Sequence, residues 1–443
     1  MTQKNSTSRR DFLKASSGVL AGVSLAGGVN LGRSAHAAGS DVIKIALIGA
    51  GGRGTGAVVQ QMNADSNVKL IAVADAFPDR IEKSLTQIRK QYAAQVDVPP
   101  ERMFSGMDSY KQAVAAGADL VVLAGPPGTR PLQYKAAIEA GKHVFMEKPC
   151  CVDAPGYNML MATNKLADEK NLFVGVGLQR RHEPIYMETV KRLQDGAIGD
   201  IAFTRVYWNG GGIWNRERSK LAELLGHEPT ELEYQVYNWY HFCWLSGDNI
   251  CEQHIHNIDV GNWVRGDKHP VEANGMGGCT ARYLGAAKGT GQIFDHHFVE
   301  FTYEDGTKMF SQCRHMKSCF NSVSEAAHGP KGTSNCAGKI EGANAWAFDG
   351  KKVSGHQQEQ TDLLAAMRAG KRYNEGYVGA NASLTAVLGR EANYSGQVVK
   401  WDDLVAKGKS EFPKDLAWSA PAPVQKDANG DYPIPMPGVY KPW

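Results

Sequence analysis

Short apolar runs alternate with amphipathic stretches through the first third of the chain. The apolar runs lie at residues 42–48, 68–75, 119–124 and 143–146. They are rich in valine, leucine and isoleucine, and their length is typical of buried β-strands. Helices are expected between them, at about residues 52–63, 78–92, 109–116 and 131–140. Repeated strand-helix units of this kind predict a parallel sheet whose ligands bind at the carboxyl ends of the strands.

Beyond Pro149 the pattern changes to longer helices and hairpin signals, which indicates a second domain. Residues 298–303 and 308–312 flank Glu304-Asp305-Gly306-Thr307, a turn typical of antiparallel strands. Residues 208–250 form a long connection dense in aromatic side chains, including Trp239 and Tyr240. Two interpretations of this connection stay open: it packs on the core, or it stacks on the apolar faces of a sugar.

The first 37 residues have the pattern of an export signal. Arg9 and Arg10 precede Phe-Leu-Lys and a weakly apolar stretch, and Ala-His-Ala at 35–37 is an A-x-A cleavage pattern. Paired arginines in this context resemble the twin-arginine translocation signal. The stretch is too polar for a good transmembrane helix. We therefore expect cleavage, export to the periplasm through the twin-arginine machinery, and no stable membrane insertion.

Charge and length bound the remaining chain. The whole sequence of 443 residues, 42% of them hydrophobic, is long enough for two domains with separate cores. Residues 1–37 hold five basic side chains and one acidic one, which leaves 44 basic and 45 acidic residues, a net charge of −1. A nearly neutral chain without basic runs argues against nucleic acid or anionic membranes as the main partner.

A glycine cluster follows the first apolar run. Gly49, Gly51 and Gly54 have the G-x-G-x-x-G spacing that permits a tight turn, a close approach to a diphosphate and close packing of the next helix. The second run ends in Asp75, at a suitable distance to bind a ribose 2′-hydroxyl. The sequence therefore favours a dinucleotide site. The acid favours NAD, with NADP less favoured because Asp75 would repel a 2′-phosphate.

Two further groups of residues carry candidate chemistry. Lys148 follows the run at 143–146, at the edge where a nicotinamide would lie. Glu252 and His256 share one face of a predicted helix, with Asp259 one turn beyond, and an acid at this spacing can orient a histidine for proton transfer. Surface charges and a surface ion pair are the respective alternatives. The histidines and eight cysteines lack a specific ligand spacing, so no metal is expected.

The combination of these motifs resembles the Gfo/Idh/MocA family, named for glucose-fructose oxidoreductase and inositol dehydrogenase. The resemblance covers about residues 41–400. It rests on Gly49-x-Gly51-x-x-Gly54, Asp75, Ala124-Gly-Pro-Pro, Ala140-Gly141-Lys142-His143-Val, Glu147-Lys148-Pro149 and Glu252-x-x-x-His256. Two positions depart from the usual pattern: Glu252 replaces an aspartate, and Arg130 replaces a common histidine.

The resemblance implies an architecture. An α/β Rossmann domain with a parallel, doubly wound sheet precedes an α+β domain with an open, mostly antiparallel sheet, which often forms homo-oligomers. We accordingly divide the chain into four segments. They are the signal peptide at 1–37, the NAD-binding Rossmann domain at 41–155, the substrate and oligomerisation domain at 156–400, and an extended, proline-rich tail at 401–443.

The resemblance also implies site residues. Lys148 and His256 would flank the reacting carbon, one as acid/base and the other as its relay partner, with Glu252 beside the histidine. The residues expected to bind NAD are Gly49, Gly51, Gly52, Arg53, Gly54, Asp75, Pro126, Glu147 and Lys148. The residues expected to contact the substrate are Arg181, Trp239, Tyr240 and Asp259.

Location constrains the expected function. The periplasm has no substantial pool of free NAD, so a dehydrogenase that released its cofactor would stop. We expect an oxidoreductase that acts on a sugar, polyol or glycoside by hydride transfer and keeps its NAD tightly bound. One alternative is a redox-neutral NAD-dependent glycosidase or lyase that resembles glycoside hydrolase family 109. Another is a non-catalytic sugar-binding protein.

Overall fold

The first sheet has six parallel strands. The computed structural model describes residues 42–280, 290–413 and 416–443, so the signal predicted at 1–37 lies outside the described residues. The strands are β1 Ile43–Ile48, β2 Val68–Asp75, β3 Met103–Ser105, β4 Leu120–Leu123, β5 His143–Met146 and β6 Val174–Val176. Their order is β3-β2-β1-β4-β5-β6, and all neighbours are parallel. The predicted parallel sheet is confirmed, and its last strand lies beyond the predicted domain boundary at residue 155.

Helices cover this sheet because their apolar side chains recur at helical spacing. The helices are α1 Gly52–Ala64, α2 Pro78–Tyr92, α3 Ser109–Ala115, α4 Arg130–Glu139 and α5 Ala154–Glu169. On α1, for example, Ala57, Val58 and Met62 are buried against the strands. Leu363, from a helix far along the chain, joins the same core. The glycine loop between β1 and α1 is thus fixed by packing on both sides.

The second sheet has nine strands. They are β7 Phe203–Gly210, β8 Glu272–Gly278, β9 His296–Thr302, β10 Lys308–His315, β11 Ser322–Gly329, β12 Gly332–Ser334, β13 Lys339–Gly342, β14 Trp346–Ala347 and β15 Val399–Lys400. Their order is β14-β13-β12-β11-β7-β10-β9-β8-β15. The pair β7–β10 is parallel, and the other neighbouring pairs are antiparallel. This open, mostly antiparallel sheet confirms the predicted fold class.

One buried helix joins the two halves. The remaining helices are α6 Pro184–Gln194, α7 Arg218–Leu225, α8 Glu231–Tyr237, α9 Cys243–Ser246, α10 Asn249–Glu252, α11 Ile255–Trp263, α12 Gly355–Ala369, α13 Gly376–Ser395 and α14 Trp401–Lys407, with short 3₁₀ turns at Ala93–Gln95, Pro100–Arg102, Pro127–Thr129, Gln179–His182 and Trp239–His241. Leu384 and Leu388 of α13 share a core with Leu160 of α5 and Val299 of β9.

None of the described helices is long and apolar enough to cross a membrane.

The end of the chain packs onto the protein. Residues 401–407 of the predicted tail form α14, because Trp401 and Leu404 lie one turn apart and are both buried. The later tail residues Ala422 and Tyr432 are also buried. The Tyr432 ring meets the edge of Phe242 with ring centroids 5.0 Å apart. The tail therefore covers the aromatic connection rather than projecting from it.

Candidate functional site

The glycine loop makes a sharp turn that only glycine accommodates. Gly49 has a φ of +95°, a conformation that side chains disfavour. A Cβ on Gly54 would lie 2.1 Å from the Gly49 oxygen, so strand and helix pack in contact here. Asp75 fixes the loop from β2: its carboxylate accepts hydrogen bonds from the amides of Ala50 at 2.8 Å and Phe77 at 3.0 Å. The predicted glycines and Asp75 therefore do come together.

A cavity of about 300 Å³ lies over this loop. Its lining includes six of the predicted cofactor residues: Gly49, Gly51, Gly52, Arg53, Asp75 and Pro126. A Cβ on Gly51 or Gly52 would meet nothing within 4 Å, so both glycines leave open space above the backbone. Gly51 caps α1 and no side-chain hydrogen bond occupies that cap. A bare backbone at a helix N-terminus suits a diphosphate, and these residues fit a dinucleotide.

A second cavity, the reaction cavity, holds the candidate catalytic residues. It has a volume of about 300 Å³, and Arg53, Glu147, Lys148, Glu252 and His256 contribute to its lining. The Lys148 Nζ lies 2.9 Å from Glu252 Oε1 and also donates to the main-chain oxygen of Glu252. The structure therefore brings together a lysine after β5 and a glutamate and histidine about a hundred residues later.

The helix predicted through Glu252 and His256 is interrupted. α10 ends at Glu252 and α11 begins at Ile255. The expectation that Glu252 and His256 share one face of a single helix is thus wrong. The His254 amide donates to the Asn249 oxygen five residues back, and the His256 amide donates to the Gln253 oxygen three residues back, so the regular helical hydrogen bonds are interrupted. The carboxylate of Glu252 instead binds Lys148, which fixes the position of the ammonium group.

His256 is held as a neutral ring. It is buried, and its ring lies over Trp208 with ring centroids 6.0 Å apart. Burial, reinforced by the positive charge of Lys148, lowers the pKa of His256 well below its ordinary value. Within the described part of the chain, its Nδ1 is buried without a hydrogen-bond partner. An uncharged imidazole can accept a proton from a substrate hydroxyl.

Arginines join the two cavities. Arg53 lines both, and its Nε lies 2.5 Å from Glu147 Oε1 while its Nη2 lies 3.2 Å from Glu359 Oε1. Arg130 is buried and donates to the main-chain oxygens of Glu147 and Gly125, each at 2.7 Å. The latter two contacts tie the turn after β4 to the end of β5. No sequence pattern indicated Glu359, which comes from α12, or this role of Arg130.

The four predicted substrate residues have different positions. Trp239 lines both cavities. Tyr240 is buried beside it, with ring centroids 5.5 Å apart. Arg181 binds Asp259 through two nitrogens, with an Nη2–Oδ1 distance of 2.7 Å, and also binds Asp267. Neither Arg181 nor Asp259 is among the described residues that line the reaction cavity.

Arg181→Ala should therefore act on stability. Asp259 is 1% exposed, and removing its partner leaves a buried charge uncompensated, which we expect to lower the free energy of unfolding by about 3–5 kcal/mol. Urea denaturation measures this loss. The control is Arg372→Ala, because the Arg372 side chain is 79% exposed in its pair with Asp168 and its loss should cost about 0.5 kcal/mol or less. Unchanged stability together with weakened substrate binding would contradict the structural role.

No metal cluster was found in the described ranges. These ranges contain no group of three or more His, Cys, Asp or Glu side chains arranged to hold a metal ion. The lining of the reaction cavity includes the ammonium group of Lys148, the imidazole of His256 and the carboxylates of Glu147 and Glu252.

Comparison with known proteins supports the assignment of the first domain. Residues 43–178 match the model of GFO_IDH_MocA, an oxidoreductase family with an NAD-binding Rossmann fold. Inositol 2-dehydrogenase of Rhizobium meliloti is 29% identical over 164 residues, 37% of this chain and 44% of that protein. A glycosyl hydrolase family 109 protein of Shewanella amazonensis is 34% identical over 155 residues, 32% of this chain and 33% of that protein. The chain thus matches less than half the length of these curated relatives.

The solved structures extend the likeness to both domains. Aldose-aldose oxidoreductase from Caulobacter crescentus, complexed with glycerol, has a TM-score of 0.61 at 16% identity, and the match covers 81% of this chain and 99% of that one. At this identity the likeness concerns the fold. The structure therefore has a parallel Rossmann sheet followed by a mixed, mostly antiparallel sheet. Its residues 43–178 are similar to the NAD-binding domain of the Gfo/Idh/MocA oxidoreductases.

Proposed function

We propose that this protein is an NAD-dependent oxidoreductase that oxidises a hydroxyl group of a sugar, polyol or glycoside by hydride transfer. One observation carries the proposal: the cavity that holds Lys148 and His256 adjoins the dinucleotide cavity, and Arg53 and Trp239 line both. A substrate beside Lys148 and His256 would therefore lie next to the end of a dinucleotide that occupies the glycine loop.

The residues of the reaction cavity have separate roles in this reaction. Bound NAD would supply the hydride acceptor. The Lys148 ammonium, held by Glu252, donates a hydrogen bond to the substrate oxygen and orients its carbon. The neutral ring of His256 accepts the hydroxyl proton as the carbon–oxygen double bond forms. Arg130 keeps the end of β5, and hence Lys148, in place.

We also propose that the cofactor is retained and that the protein works in the periplasm. The twin-arginine pattern at residues 1–37 supports this location. Because free NAD is scarce there, each turnover needs a reoxidation of the bound cofactor by a second substrate. A dinucleotide that stays bound in the cavity over Gly51 and Asp75 would be reoxidised there by the second substrate.

A second candidate is redox-neutral cleavage of a glycosidic bond. The Shewanella amazonensis relative, named as a glycosyl hydrolase family 109 protein, favours it. In that case oxidation of a sugar hydroxyl would acidify the neighbouring C–H, the glycosidic oxygen would be eliminated, water would add, and the hydride would return. His256 and Lys148 would then handle protons in both halves of the cycle.

A substrate panel separates these candidates. The purified exported protein is incubated with aldoses, polyols and aryl glycosides, and products are identified by mass spectrometry. Accumulation of a carbonyl product with reduction of a second sugar supports the oxidoreductase. Release of the aglycone with no net change in NADH absorbance supports the glycosidase. Binding of sugars with neither product would contradict both.

A further inference from the structure

The aromatic connection lies over the cofactor cavity. Trp214, Arg216 and Trp239 line that cavity, opposite the glycine loop. The connection is anchored next to Asp75, because Phe77 packs against Tyr237 with ring centroids 5.7 Å apart. Trp418 of the tail packs on the other side of Phe77, with ring centroids 5.6 Å apart. We refer to residues 211–245 as the cover segment.

Arg216 is the charged group of the cover segment in this cavity. Its guanidinium lies 3.8 Å from the ring centroid of Trp214 and 5.0 Å from that of Tyr237, and it donates to the main-chain oxygen of Tyr237. Burial, together with the positive charge of Arg80, lowers the pKa of Arg216 to about 10, so it stays charged at neutral pH. Its position is therefore fixed by stacking and by the main chain.

Neither Arg216 nor Arg80 forms a salt bridge with another described residue. Among the ion pairs of the described residues, neither guanidinium has a carboxylate within 4.0 Å. Asp79, which lies beside Arg80, is 2.8 Å from Lys83 and is paired with it. Asp75 and Asp79 attract the two guanidinium groups only from beyond salt-bridge distance. The guanidinium N–H groups that face the cavity can therefore still bind an anionic ligand.

Both arginines converge on the glycine loop. A further cavity of about 280 Å³ lies beside the dinucleotide cavity. Four residues line both of these cavities: Gly51, Gly52, Arg80 and Arg216. The first two supply the bare backbone at the N-terminus of α1, and the last two supply the positive charge. These are the elements of a phosphate site.

We propose that Arg216, assisted by Arg80, binds a phosphate group of the dinucleotide against the N-terminus of α1, so that the cover segment closes the cofactor cavity. The inference rests on the proposed function and adds to it a residue from outside the Rossmann domain. It also assigns Trp214 to the cofactor rather than to a sugar. Trp239 lines both the dinucleotide cavity and the reaction cavity, so it would contact both the cofactor and the substrate.

The test compares Arg216→Gln, Arg216→Lys and Arg218→Gln with the wild-type protein. Arg218 serves as the matched control because it is paired with Glu231 and stacks on Tyr234, away from both cavities. Exchange of bound NAD against radiolabelled NAD gives the dissociation rate, and competition with NAD, NADP and adenosine gives relative affinities. Loss of one charge-assisted contact should weaken NAD binding in R216Q by about tenfold to a hundredfold.

The outcomes distinguish the phosphate groups. We expect R216Q to lose affinity for NAD and NADP while its adenosine affinity stays unchanged, R216K to fall between, and R218Q to match the wild type. An equal loss for NAD and NADP assigns Arg216 to the diphosphate, whereas a loss confined to NADP would place it at the 2′-phosphate and overturn its assignment to the N-terminus of α1. R216Q with wild-type affinity for both would overturn the inference alone. A wild-type protein that binds no dinucleotide would overturn the proposed function as well.

Discussion

Lys148→Ala is expected to lower turnover by about 10²- to 10⁴-fold while NAD stays bound. Lys148 is mostly buried and paired with Glu252 in the reaction cavity, so its loss removes the donor that orients the substrate oxygen. The glycine loop still offers its backbone to the cofactor. Single-turnover kinetics measure the chemical step, and the nucleotide content of the purified variant measures cofactor binding.

His256→Ala should show a loss of similar size, because it removes the neutral ring that accepts the proton. The control for both variants is Lys135→Ala. Lys135 is a half-exposed residue on α4 that pairs loosely with Glu139 at 3.7 Å. It should react at the wild-type rate. If either Lys148→Ala or His256→Ala also reacted at the wild-type rate, the assignment of the reaction cavity would be wrong.

Alanine at Gly54 should lower stability, whereas alanine at Gly51 should leave it unchanged. A Cβ on Gly54 would lie 2.1 Å from the Gly49 oxygen and 3.0 Å from Leu47 Cδ1, so helix and strand must separate. We expect Gly54→Ala to lower the free energy of unfolding by about 1–3 kcal/mol and to weaken NAD binding as the loop shifts. Urea denaturation without added cofactor measures the first effect.

Gly51→Ala is the matched variant. Its Cβ would meet nothing within 4 Å, and Gly51 has a φ of −74° that alanine also adopts. Its stability should therefore stay at the wild-type value. NAD binding should still weaken, because the added methyl occupies the space in which a diphosphate approaches the backbone. Equal stability losses in both variants, or unchanged NAD binding in Gly51→Ala, would contradict the separate roles of these glycines.

The Rossmann half was predictable because its signals are local. Strands β1, β2, β4 and β5 coincide with apolar runs, and the turns after β1 and β5 carry Gly49 and Lys148, whose chemistry depends on their immediate neighbours. The edge strand β3 was not predicted, because it has only three residues and none of them is fully buried. The second sheet was predictable only as a class. Its one parallel pair, β7 with β10, joins segments about a hundred residues apart, and no local pattern encodes such a pairing.

The sequence pointed to the reaction cavity but not to its pairings. A continuous helix predicts that Glu252 pairs with His256. In the structure the helix breaks after Glu252, and the Glu252 carboxylate binds Lys148. Arg181 and Asp259 lie in the expected part of the chain and bind each other instead. Arg216 lines the cofactor cavity and Glu359 binds Arg53, both from distant segments, and nothing adjacent to them in sequence marks these contacts.

The nucleotide content of the purified protein tests most directly whether the glycine loop holds NAD. The protein is isolated without added cofactor and denatured, and the released nucleotide is identified and quantified by chromatography. We expect roughly one NAD per chain, because one glycine loop with Asp75 forms one dinucleotide site. Protein that releases no nucleotide and binds none when titrated with NAD would contradict the assignment of this cavity to NAD.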